Sequence, residues 1–183
     1  FLEDKIRAFP DDIDLITFLA SFYEQDGMFE KAFDILNQGL DRLPENTNLL
    51  FKLGAVQDKA GLKEEGISTM TKILQIDPDD AGALNYIGYT WADQGIRLNE
   101  ALTMIQKAHD LKPDDGYITD SLGWVYYRMG DYEKSVIYLQ EAADLTDYET
   151  IIADHLGDAL QKTGQIEKAL ETYEKAIANA EKE

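Results

Sequence analysis

The side chains best suited to proton transfer or metal ligation at neutral pH are His109 and His155. They fall in different segments, with no His, Asp or Glu at a metal-ligand spacing such as HExxH, and they read as two solvated helix histidines. Asp77-Pro78-Asp79-Asp80-Ala81-Gly82 has the opening of a calcium loop with glycine sixth. Its fifth position is Ala81, however, and its twelfth is Gly88 where a bidentate glutamate is required. Those carboxylates suit a helix start instead, accepting from free N–H groups and opposing the helix dipole. There is no glycine-rich phosphate loop, no G-x-S-x-G elbow and no cysteine, and the scattered carboxylates form no acid/base pair by spacing. The expectation is a protein that is not an enzyme and uses neither metal nor cofactor.

The charge balance narrows the partners. The 183 residues carry 36 Asp and Glu against 17 Lys and Arg, a formal net charge of -19, so phosphate-bearing surfaces are repelled. Nucleic acid and anionic membranes are thereby disfavoured. No apolar run approaches the roughly 18 to 20 residues needed to cross a bilayer, which argues against direct membrane insertion. The absence of cysteine leaves the compartment open. Because the chain begins at Phe1, it reads as a fragment or processed product of a larger protein.

The elements that must position any site are written in the punctuation. The four prolines stand at 10, 44, 78 and 113, and a glycine series stands at 27, 61, 95, 130 and 164, so both advance by 34 or 35 residues. Each series takes its extra residue in the third unit, after Gly95 and before Pro113, most simply within residues 95–100. Between a proline and the next glycine lie apolar residues at helical spacing, such as Leu84, Ile87, Gly88 and Trp91. A second such stretch, such as Tyr132, Val136, Leu139 and Ala142, follows each glycine. Each unit is therefore expected to be a helix hairpin, with the glycine at a helix C-terminus and the proline ending the pair.

A 34-residue helix-turn-helix period with these small residues resembles the tetratricopeptide repeat. The repeats are 13–46, 47–80, 81–115 (with the insertion), 116–149 and 150–183, and residues 1–12 read as the end of a preceding second helix and its turn. The small first-helix residues are Ala20, Gly54, Gly88, Gly123 and Gly157, and those of the second helix are Ala32, Gly66, Ala101, Ser135 and Ala169. Two departures stand out. Thr146-Asp147 replaces the proline expected between repeats four and five, which predicts a looser or differently angled junction. Gln57 stands where an aromatic is usual, which makes repeat two the weakest unit.

The resemblance implies an all-α, right-handed superhelical solenoid that binds protein or peptide partners in a concave groove lined by first helices. Mapped onto this sequence, the groove offers Phe51, Asn85, Tyr86, Tyr89, Tyr117, Asp120, Trp124, Tyr127, Asp154 and Asp158. Trp124, Tyr89 and Tyr127 are the candidate aromatic anchors, whereas Tyr23, Trp91 and Tyr126 fall on the packing stripe. Asp120, Asp154 and Asp158 would attract lysine or arginine, the other reading being a solvated face in a chain acidic throughout. The carboxylate clamp of chaperone-binding members is not reproduced, since the matching positions hold Thr17, Ser21, Lys52, Asp120 and Ser121. The expected partner is a basic and apolar segment. The alternative is a self-assembly or intramolecular docking module acting through uncapped terminal helices. The stretches around Leu84–Tyr89 and Asp120–Trp124 also resemble bacterial repeat proteins, many from the cell envelope, which leans the expected location toward the periplasm.

Overall fold

The computed structural model describes residues 8–180; residues 1–7 of the expected N-terminal tail, and residues 181–183, lie outside the described residues. Among the described residues ten helices follow one another and no strand occurs. They are α1 (Ile13–Gln25), α2 (Phe29–Leu40), α3 (Thr47–Lys59), α4 (Lys63–Ile76), α5 (Ala81–Gln94), α6 (Leu98–Leu111), α7 (Gly116–Met129), α8 (Tyr132–Leu145), α9 (Thr150–Lys162) and α10 (Ile166–Ala180). None of these helices is long and apolar enough to cross a membrane.

Local chemistry explains the boundaries. Every odd-numbered helix starts at a side chain that accepts from its first turn. Asp12 takes the Leu15 amide, Asn46 that of Leu49, Asp80 that of Ala83, Asp115 those of Tyr117 and Ile118, and Glu149 those of Ile151 and Ile152. The turn inside each hairpin is a glycine with φ between +70° and +85°, at Gly27, Gly61, Gly95, Gly130 and Gly164. An L side chain enters that region only at a cost of about 1–2 kcal/mol. Whereas α2, α4, α8 and α10 begin two residues after their glycine, α6 begins three after Gly95. The added step is made by Arg97 at φ 49°, whose guanidinium lies 4.0 Å from the centre of the Trp91 ring.

In four of the five described hairpins the helices meet closely because one of them has a glycine at the contact, Gly54, Gly88, Gly123 or Gly157. A Cβ on Gly88 would lie 2.6 Å from Ile105 Cγ1 and 3.0 Å from the Ala101 carbonyl oxygen. At Gly157 it would lie 2.2 Å from Cζ of Tyr173. The spacing of small residues thus translates directly into helix separation.

The chain forms two compact units, one through Ala83 and one from Leu84 onward. In the first, α1 to α4 enclose Ile16, Leu19, Leu36, Leu49 and Val56, all essentially inaccessible to solvent. Glu24 of α1 bridges to α3, with its carboxylate 2.5 Å from Lys52 Nζ and 2.9 Å from Lys59 Nζ. Gln57, the departure in repeat two, accepts a 2.8 Å hydrogen bond from the buried Thr69 hydroxyl across the α3–α4 hairpin, so a polar contact replaces the aromatic one.

In the second unit, α6, α7 and α8 pack in succession and α9 packs on both α8 and α7. The core runs from Ile105, Leu122 and Val125 to Leu139, Ile152, Leu156 and Leu160. The α8–α9 junction without proline is held from both sides. Asp147 and Tyr148 both adopt positive φ, 52° and 59°. The Tyr148 amide donates to the Ala143 carbonyl at 2.8 Å, and Asn179 Nδ2 of α10 donates to the Asp147 carbonyl at 2.6 Å. Gln140 and Lys175 both donate to the Tyr148 hydroxyl, at 2.8 and 3.1 Å. Side-chain tethers here take the place of the rigid ring.

Candidate functional site

Asp120, Trp124 and Tyr127 occupy positions i, i+4 and i+7 of α7 and therefore one stripe of that helix. The stripe is met by a residue from α9. His155 Nδ1 lies 2.9 Å from Asp120 Oδ1 and 3.1 Å from Oδ2, and its ring stacks on the Trp124 indole at 4.2 Å and 19°. Tyr127 stacks on the same indole at 4.9 Å and 7°, and Tyr132 meets Tyr127 edge-on at 5.4 Å. Arg128 completes the group. Its guanidinium is 5.8 Å from the indole centre, and its Nη1 donates to the Asp93 carbonyl in the last turn of α5. Trp124 and Tyr127 remain half-buried, so the stack has an outer surface.

Two expectations are corrected here. Asp120 is not an open carboxylate of an acidic groove. Its side chain is 9% exposed and spent on His155. His155 is not a solvated histidine, its side chain being 11% exposed. The physical reason is that α7 has neighbours on several sides. Gly116, Ile118 through Gly123 and Val125 are all buried, so no polar face survives in the middle of the helix. His155 lies on the buried side of α9 with Ile152, Leu156 and Ala159. That spacing of three to four residues was the available signal for it. His109 is half-buried too, its ring edge-on to Tyr138 at 6.0 Å.

The remaining candidates divide. Asp158 is half-buried on α9, and the Tyr127 hydroxyl is pushed above the ordinary phenol value by burial first and by the Asp158 charge second. Burial and the same aspartate act likewise on Tyr173 of α10. Tyr127 therefore stays a neutral hydroxyl at physiological pH. Asp154 is exposed and lines a trough of about 610 Å³ between α9 and α10 with Ile151, Tyr173 and Ile177. Tyr117 is 63% exposed and lines another cavity, of about 370 Å³, with Tyr148, Glu149 and Asn179. Asn85, Tyr86 and Tyr89 are half-buried on α5. Phe51 belongs to the first unit, where its ring would touch a Cβ on Gly82 at 3.0 Å. Lys52 is occupied by Glu24. Among the described residues no group of three His, Asp or Glu could hold a metal ion.

Helix hairpins joined by glycine turns and repeated along the chain make an all-α helical-repeat solenoid, a fold of the protein-interaction kind. Residues 121–147 and 153–183 match the tetratricopeptide repeat family. The chain is 36% identical over 138 residues, 74% of its length, to the TPR repeat-containing protein PA4667 of Pseudomonas aeruginosa, and it spans 23% of that relative. Among solved structures, TTC0263, a thermophilic TPR protein of Thermus thermophilus, superimposes with a TM-score of 0.79 at 21% identity, covering 93% of each chain. MamA of Desulfovibrio magneticus does so with 0.74 at 20% identity, covering 94% of this chain and 97% of its own. At such identities the likeness is one of fold. The chain is a tetratricopeptide-repeat protein.

Proposed function

We propose that this chain is a scaffold that captures an extended or helical segment of a partner protein on the α7–α9 face. The segment carries basic and apolar residues. The observation behind this reading is the Tyr127–Trp124–His155 stack seated on Asp120. Large aromatic side chains held before the ligand arrives lose little further freedom on capture, and such residues dominate interface energetics. Asp158 beside Tyr127, with Asp154 one turn away, would draw lysine or arginine toward the stack and make association sensitive to salt. Asn85, Tyr86 and Tyr89 of α5 are the residues proposed to extend contact beyond it.

Selection of a random peptide library on the immobilised chain tests this. The enriched peptides should pair Lys or Arg with apolar residues, weaken as salt is raised, and weaken about tenfold or more against Trp124→Ala, the loss of one buried aromatic anchor. Enrichment of acidic peptides, or binding indifferent to both salt and Trp124→Ala, refutes the reading.

A further inference from the structure

The His155 ring spends only one of its two nitrogens on the fold. Nδ1 faces both oxygens of Asp120, at 2.9 and 3.1 Å. A carboxylate ion can only accept, so the shared proton belongs to Nδ1, and a neutral imidazole protonated there carries its in-plane lone pair on Nε2. Nε2 makes no hydrogen bond among the described residues, yet it is not sealed from solvent. The direction of that lone pair is fixed. The imidazole lies against Trp124 at 4.2 Å and 19°, and the indole is itself stacked with Tyr127 at 7°. Turning the imidazole over would put a carbon where Asp120 needs a donor.

A carboxylate stands next to this acceptor. Asp158 follows His155 by three residues on α9, a spacing that makes the two side chains neighbours on the helix surface. It is half-buried and forms no ion pair or hydrogen bond among the described residues. After burial, its charge is what most raises the Tyr127 hydroxyl, which places it beside the stack. The chain's own arginine on this face is committed elsewhere, since Arg128 Nη1 donates to the Asp93 carbonyl of α5. An in-plane acceptor, a carboxylate one turn away and near-parallel rings together suit a guanidinium. That group is flat, carries several N–H donors in one plane, stacks on aromatic faces and gives up its water readily. A lysine ammonium is a compact, strongly hydrated charge with no face to stack.

We propose that His155 reads arginine in the partner: Nε2, presented as an acceptor by the Asp120 carboxylate behind it, takes one N–H of a guanidinium whose other N–H groups meet Asp158. This narrows the basic residue of the capture reading, on which it rests, to arginine. Asp120 is then a positioning residue, touching no ligand and acting by holding the tautomer of His155.

The test uses the 183-residue chain with 15N-labelled histidine, titrated with a synthetic peptide alternating arginine and leucine and with its lysine counterpart. Before any peptide is added, His155 should show a protonated Nδ1 and an unprotonated Nε2. The arginine peptide should bind about tenfold more tightly than the lysine peptide, the worth of one hydrogen bond with a charged partner. It should shift the Nε2 resonance of His155 and leave His109, the only other histidine, unmoved. Asp120→Ala should let the proton move to Nε2 and cut the preference for arginine, a change of tautomer that a loss of stability does not produce. Asp120→Ala combined with His155→Phe keeps a flat ring on Trp124 and strands no buried charge, and it should bring the two peptides to equal affinity without abolishing binding. A protonated Nε2 in the wild type, or a preference for arginine that survives the double substitution, overturns the assignment. So do arginine and lysine peptides of equal affinity, and if both are weakened by Trp124→Ala the capture reading still stands. If neither peptide binds, both fall.

Discussion

If the Asp120–His155 pair is what seats the aromatic stack, then the two residues should behave as one energetic unit. Both side chains are about nine-tenths buried, and the imidazole Nδ1 has two carboxylate oxygens within 3.1 Å. Asp120→Ala leaves that nitrogen without its acceptor, at a cost of about 1–3 kcal/mol for a buried unsatisfied group. His155→Ala strands the carboxylate by a similar amount and also removes a ring stacked on Trp124 at 4.2 Å, worth about 0.5–1.5 kcal/mol more. The double variant loses the shared bond once. The cycle should therefore close with a coupling of about 1.5–3 kcal/mol, the range for a bond with an ionised partner. Asp120→Asn retains an acceptor oxygen and should cost less than Asp120→Ala. Urea unfolding followed by Trp124 fluorescence in a Trp91→Phe background reports on the stack itself, since these are the only two tryptophans. Repeat arrays need not unfold in one step, so hydrogen exchange of α7 and α9 amides should supply the free energies independently. Additive losses, with coupling below about 0.5 kcal/mol, would show that the two residues are merely neighbours and that the reasoning fails.

Two further expectations follow from particular contacts. Gly88→Ala gains about 1 kcal/mol of helix propensity but drives a methyl into Ile105 and the Ala101 carbonyl, for a cost of about 1–3 kcal/mol. The Tm should fall by a few degrees, and a rise would contradict the close approach of α5 and α6. For Glu24, burial alone would raise the carboxyl, but the hydrogen bonds and charges of Lys52 and Lys59 outweigh it and hold it below the ordinary glutamate value. A depressed carboxylate stabilises the fold fully above its unfolded pKa, and that contribution fades as pH falls through the folded one. Glu24→Gln should hence lower Tm at neutral pH, with wild type and variant converging in acid. Parallel Tm curves across the whole range would sink this account.

Much of the architecture could be read before any coordinate. Prolines and glycines advancing by 34 or 35 residues mark where a helix must end, because proline's φ restriction and missing amide, and glycine's access to positive φ, act at the residue itself. Asp80 and Asp115, legible as helix starters, accept from the first turns of α5 and α7. The Trp124 and Tyr127 stripe was legible too, since i and i+3 on one helix share a face by geometry alone. The junction at Thr146-Asp147 was legible only as a departure, because the tethers from Asn179 and Lys175 come from a helix some thirty residues further on, far beyond any local pattern.

By itself, then, the sequence determined the hairpins and their turns, which depend on interactions within a few residues, and the small residues whose partners lie across the same hairpin, as Gly88 meets Ile105 and Gly157 meets Tyr173. Tertiary structure alone decided the fate of Asp120 and His155. Burial is conferred by neighbours, and only the packing of α9 on α7 turns an acid that reads as solvent-facing into the buried seat of an imidazole.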